Sequence, residues 1–366
     1  MRTAANLERV SYEFAEDNYN EGVRYFEVRF APQLVASLRS HSSEGKEHLN
    51  VQEVIMAVNA GLKRACVEAN ERRAAREAET FEPEPMYEYG IICCAMRSFP
   101  PCEYYDAFLE IHGDLSYERV CSLASETLVQ CAIKCRDELS VPIVALDVAG
   151  AEEGFPNKVH KTAFDIAHEN FLNKTVHAGE GFGPESIFQA IRDLHADRIG
   201  HGFHLFSVEK VTEGKSAEAK EEYVRKLIKH ISDRRVNLEV CLTSNLGTMP
   251  GLQLKDHALK KMLEHGVSVT LNTDNRLVSD TTVSLELRKA VDTFDLTPKQ
   301  LREIVVCGFK RSFFAGPYSA KRKYIRRVMD CYDAISEKHG VNDKFSDYMG
   351  SRGVDDRMQN WFPGSP

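Results

Sequence analysis

The sequence lacks several signals, and each gap closes off a class of protein. No stretch reaches the roughly 18 consecutive apolar residues of a membrane span. Met1-Arg2-Thr3-Ala4-Ala5-Asn6 leads straight into an amphipathic pattern, without the apolar stretch of a secretory signal. Ten cysteines are present but no Cys-x-x-Cys spacing. They read as buried free thiols of a reducing compartment, not a disulfide framework, and the cytoplasm is the expected location. Positive charge is in the minority: 47 Lys and Arg face 55 Asp and Glu, a net charge of -8. Nucleic-acid binders usually carry a basic stripe, so this balance argues against that partner. It does not disfavour a small neutral ligand. No GxGxxG or P-loop follows any strand, which counts against a nucleotide-phosphate fold. No internal repeat is visible.

What is there is globular. Of 366 residues, 43% are hydrophobic and 28% charged, enough for a large core. Helical spacing (Leu7, Val10, Phe14) covers 4–20, and an alternating strand follows at 23–30. A polar loop is expected over 37–49. An amphipathic helix follows from Val51 to Ala65, with a charged, solvated continuation over 68–82. Buried strands are expected at 89–97 and 143–150, with helix over 103–139 between them. Helices at 160–170, 184–194, 218–232 and 256–265 alternate with strands at 174–177, 198–204, 235–241 and 267–275. Thr243-Ser244-Asn245 reads as a polar turn. Two more helices (284–294, 297–316) precede a basic helix around 321–327 and a ragged end. Seven strands, each followed by helix, imply a parallel sheet. The count is one short of a (β/α)8 barrel, which together with a doubly wound sheet is one of the two folds that place sites at strand C-terminal ends.

Three strand ends carry reactive groups. His177 closes one, and Glu180 follows past the Ala178-Gly179 turn. His201 closes the next, between Gly200 and Gly202, which let other groups approach its ring closely. His204, three residues on, points away and reads as a packed or loop residue. Asp274 closes a third, where a buried carboxylate needs a cation or a hydrogen-bond network. Two imidazoles and two carboxylates on strand ends suit metal-assisted hydrolysis, with side chains shuttling protons.

Four strings carry a family resemblance: Leu146-Asp147-Val148-Ala149-Gly150, Thr175-Val176-His177-Ala178-Gly179-Glu180, Arg198-Ile199-Gly200-His201-Gly202 and Leu271-Asn272-Thr273-Asp274. In order and spacing they resemble the adenosine deaminase family, from about residue 5 to about residue 315. Residues 25–32 and 93–97 look like that family's early strands. The resemblance implies a zinc-dependent TIM-type (β/α)8 barrel that removes the 6-amino group of adenosine or deoxyadenosine as ammonia. By position, His177 and Asp274 would be zinc ligands. Glu180 would protonate the purine ring nitrogen, and His201 would orient the attacking hydroxide. The Gly150 backbone N–H would hold the purine, and Asn275 would meet its far side, where many members have Asp. The family opens with a strand bearing His-x-His, a spacing found nowhere in this chain. Together with the seven strands, this reads as a missing first βα unit, with residues 1–316 forming the barrel and 317–366 a C-terminal helix and flexible tail. Zinc would keep two protein ligands, and weak activity and stability are expected. The alternatives are deamination of AMP or of N6-modified adenine nucleotides, for which Arg97 and Arg276 are the only nearby phosphate candidates, and an impaired relative that only binds purine or a partner. The cytidine-deaminase type is excluded, because it needs H-x-E and P-C-x-x-C.

Overall fold

The computed structural model describes residues 3–38, 48–80, 84–212 and 216–341. Seven strands form one sheet in strict chain order: β1 (Tyr25–Phe30), β2 (Glu88–Met96), β3 (Ile143–Ala149), β4 (Asn173–Ala178), β5 (Arg198–His201), β6 (Asn237–Val240) and β7 (Val269–Leu271). Every pairing is parallel. The sheet curls into part of a TIM-type barrel, with β1 and β7 at its edges among the described residues. The curl is visible in ion pairs between strands that are not neighbours. Arg29 on β1 reaches Glu239 on β6 at 2.9 Å, and Arg198 on β5 reaches Glu27 on β1 at 2.6 Å.

The barrel interior is therefore charged. Period-2 alternation turns Glu27 and Arg29 inward from β1 while Phe26 packs outward against Phe14, Tyr87 and Tyr89. Asp147, Thr175, Arg198 and Glu239 complete the inner ladder. Buried charges are tolerated where each is paired: Arg198 lies 2.7 Å from Glu239, and Thr175 donates to Glu239 at 3.0 Å. Despite burial, Arg198 and Arg29 pull Glu239 down to about 2.

Several expectations shift at the boundaries. The helical stretch 103–139 is two helices, Glu103–Ile111 and Tyr117–Asp137, separated at Gly113-Asp114 and restarted by the Ser116 N-cap. The charged 68–82 stretch continues one helix, Val51–Thr80. Its arginines pair with the first helix: Arg64 with Glu8 and Arg72 with Glu16. Strand β5 stops at His201, because Gly202 turns left-handed and a short 3-10 turn carries Phe203–Phe206. The 297–316 helix ends at Arg311. The last described helix, Tyr318–Lys338, lies on the barrel, with the Tyr324 hydroxyl donating to the Arg24 and Met86 carbonyls. Most of the polar 37–49 loop and the ragged end lie outside the described residues. All ten cysteines are free, seven of them buried. No described helix is long and apolar enough to cross a membrane.

Candidate active site

At the C-terminal ends of the strands lies a cavity of about 400 Å³. His177, Glu180, His201, Asp274 and Gly150 all line it. The His177 and His201 rings sit 5.2 Å apart between centroids, on paired strands. Gly200 helps make this possible: a side chain there would press on His177, its Cβ falling 3.2 Å from the His177 Cα and 3.3 Å from Cγ. His201 and Asp274 both hold left-handed backbone, φ 63° and 54°. Non-glycine residues adopt this region at a cost, and such strain gathers at functional sites.

His177 is held from below by a fully buried carboxylate. Asp147 accepts from its Nδ1 at 3.0 Å, from the Cys94 thiol at 3.3 Å, and faces Arg29 at 3.5 Å. Burial opposes the Asp147 charge, but His177 and Arg29 overcome it and hold the carboxyl well below the usual range. A carboxylate only accepts, so in the neutral His177 ring the proton lies on Nδ1 and Nε2 keeps a lone pair. Asp274 accepts from the Ser244 hydroxyl at 2.7 Å. Against burial, His201 and the Ser244 hydrogen bond hold its carboxyl below the ordinary value. Glu180 accepts from Thr248 Oγ1 at 3.1 Å. His201 is buried, and among the described residues its Nε2 has no hydrogen-bond partner; Glu180 lies at 3.6 Å and Asp274 at 4.0 Å.

A nitrogen lone pair and a carboxylate are metal donors of the right kind. Their number is small: among the described residues no group of three His, Cys, Asp or Glu is arranged to hold a metal ion. Asn275 lies outside the cavity lining, and its side-chain oxygen accepts from the Val278 N–H. His204 is half-buried against Ser207, away from the cavity, as expected.

The adenosine deaminase family model matches residues 1–80 and 117–331. The adenosine deaminase of Mycobacterium marinum is 32% identical over 318 residues, which cover 86% of this chain and 73% of that protein.

The chain belongs to the adenosine deaminase family.

Membership makes it a hydrolytic deaminase of a metal-dependent family. Solved structures agree on the fold. The Arabidopsis N6-mAMP deaminase MAPDA superposes with a TM-score of 0.62 at 21% identity, covering 90% of this chain and 79% of that one. A Burkholderia ambifaria amidohydrolase with bound Zn gives 0.63 at 17% identity, covering 93% and 77%.

Four residues around the deaminase cavity escaped the sequence reading. The stretch after β6 is a short helix, Leu242–Thr248, not a turn, and it supplies Ser244, Asn245 and Thr248. Their position just past a strand end was the available signal. Glu152, two residues past Gly150, is the fourth. Its carboxylate accepts the N–H groups of Gly179, Glu180, Gly181 and Phe182 at 2.9–3.1 Å, and the Ser186 hydroxyl as well. It thereby fixes the turn that carries Glu180.

Proposed function

We propose that the chain hydrolyses the amino group of adenosine and deoxyadenosine, releasing ammonia, with zinc as the metal. The carrying observation is the cavity wall. It joins two imidazoles to four carboxylates and, among the described residues, includes no Lys or Arg, which suits an uncharged nucleoside better than a nucleotide. Neither phosphate candidate lines this cavity. Arg97 donates to the carbonyls of Phe155 and His177, and Arg276 to Asn18 and Glu21.

Glu180 delivers a proton to the purine ring nitrogen beside the attacked carbon. The water oxygen bonds to that carbon; one of its two protons passes by way of the wall carboxylates to the amine, which leaves as ammonia when the carbon–nitrogen bond breaks, and the other returns Glu180 to its acid form. His201 orients the attacking oxygen. The Gly150 backbone N–H holds the purine, and Asn275 keeps its amide NH2 for the far side of the ring. His177 and Asp274 are the protein donors for zinc, which when bound lowers the pKa of water to about 7. Catalytic zinc normally has three protein ligands, so two donors hold it loosely.

The test is a panel of adenosine, deoxyadenosine, adenine, AMP and N6-methyl-AMP, read by ammonia release. Adenosine and deoxyadenosine are expected to give the highest kcat/KM. Preference for a nucleotide would overturn the nucleoside reading. Metal analysis after dialysis should find well under one zinc per chain, with turnover restored by added zinc. Stoichiometric zinc that survives dialysis would refute the two-donor account.

A further inference from the structure

Behind His201 lies a buried chain of three groups whose protons can be placed by chemistry alone. The backbone N–H of Leu259 donates to His257 Nδ1 at 3.0 Å. A backbone amide can only donate, so Nδ1 must offer a lone pair and the ring proton of His257 sits on Nε2. His257 is 3% exposed, and burial followed by the nearby His201 pushes it down to about 4, so it stays neutral. Its Nε2–H lies 3.1 Å from Asn245 and must meet the amide oxygen. The amide NH2 is thereby turned to His201 Nδ1, also at 3.1 Å. An NH2 only donates, so His201 Nδ1 accepts. The single proton of a neutral His201 is left on Nε2.

We propose that Asn245 and His257 are positioning residues that lock His201 in its Nε2–H tautomer, making it a hydrogen-bond donor to the attacking oxygen and not the base that deprotonates it. This rests on the reading of His201 as facing the reacting atoms. A second observation points the same way. Among the described residues the His201 Nε2 is buried without a partner, and it lies beyond hydrogen-bond reach of Glu180 and Asp274. A fixed donor left unpaired on a cavity wall is arranged for charge that develops during reaction. Nε2 carries its proton already and has no lone pair to take another. As the oxygen–carbon bond forms, the proton leaving the oxygen therefore passes to a carboxylate on the same wall, Glu180 or Asp274.

The test is 15N NMR of the histidine-labelled full chain without substrate. His201 is assigned by the signal lost in His201→Gln. The wild type is expected to show a protonated-type Nε2 and a bare Nδ1. In Asn245→Asp the carboxylate can only accept, so the proton moves to Nδ1, the pattern reverses, and kcat falls by about 10²-fold with little change in KM. A wild-type His201 protonated on Nδ1 overturns the proposal, and so does an unchanged pattern in a folded Asn245→Asp variant. The wild-type spectrum decides even if the variant does not fold. A chain with the Nε2–H tautomer and no ammonia release would overturn the deaminase reading and leave the relay standing.

Discussion

Asp147 joins the barrel's charged interior to its chemistry. One carboxylate receives Arg29 from below and the His177 imidazole from above. Replacing it with Asn keeps the shape but leaves Arg29 with Glu239 alone, and turns an amide NH2 toward a group that can only donate. Removing one partner of a buried pair costs about 3–5 kcal/mol. Asp147→Asn is therefore expected to unfold at lower urea. Loss of a group that orients a metal-bound imidazole costs about 10–100-fold in affinity, so isothermal titration with zinc should show weakening in that range. Unchanged zinc affinity would mean that the Asp147 contact does not set the imidazole.

At the scale of elements, the turn after β4 is held in place by a carboxylate from the loop after β3. Ser186, the Phe182 N–H, Arg97 and the Gly179 N–H together hold Glu152 below its ordinary value, against burial. The folded-state value lies below the unfolded one of about 4.3. The stabilisation is thus fully present above about pH 4.3 and is lost as pH falls through the folded value. Glu152→Gln should remove this pH dependence, flattening the acid limb of the stability curve. It should also speed hydrogen exchange at residues 179–182. Equal acid limbs in the two proteins would count against the role.

The same contrast explains what was legible in the sequence. His177, Glu180, His201 and Asp274 could be read because each lies at or within three residues of the end of a buried strand, and the barrel logic puts chemistry there. Glu152 and His257 could not, because what each does is set by distant partners: the turn and Ser186, 27–34 residues from Glu152, and Asn245, 12 residues from His257. Asn245 was read as a turn because seven residues, Leu242–Thr248, are too few for helical periodicity to show.

For the whole molecule, the strand count and order were readable because β and α segments alternate strictly. The closure was not. Alternation in β1 showed which side chains share a face, but not that Glu27 and Arg29 would find their partners across the barrel on β5 and β6. Those partners lie 171 and 210 residues downstream. Neighbouring strands pair in chain order, so the sheet can grow as the polypeptide leaves the ribosome. At about 5–20 residues per second, however, Glu27 waits roughly 10–35 s for Arg198, and Arg29, which meets Asp147 sooner, waits roughly 10–40 s for Glu239. Stalled nascent chains released before residue 198 should therefore resist protease poorly at β1, while chains extended past β6 should be protected. The ion pairs that curl the sheet thus come last in synthesis: β1 can pair with β2 early, but its charge partners on β5 and β6 exist only once about two thirds of the chain has been made.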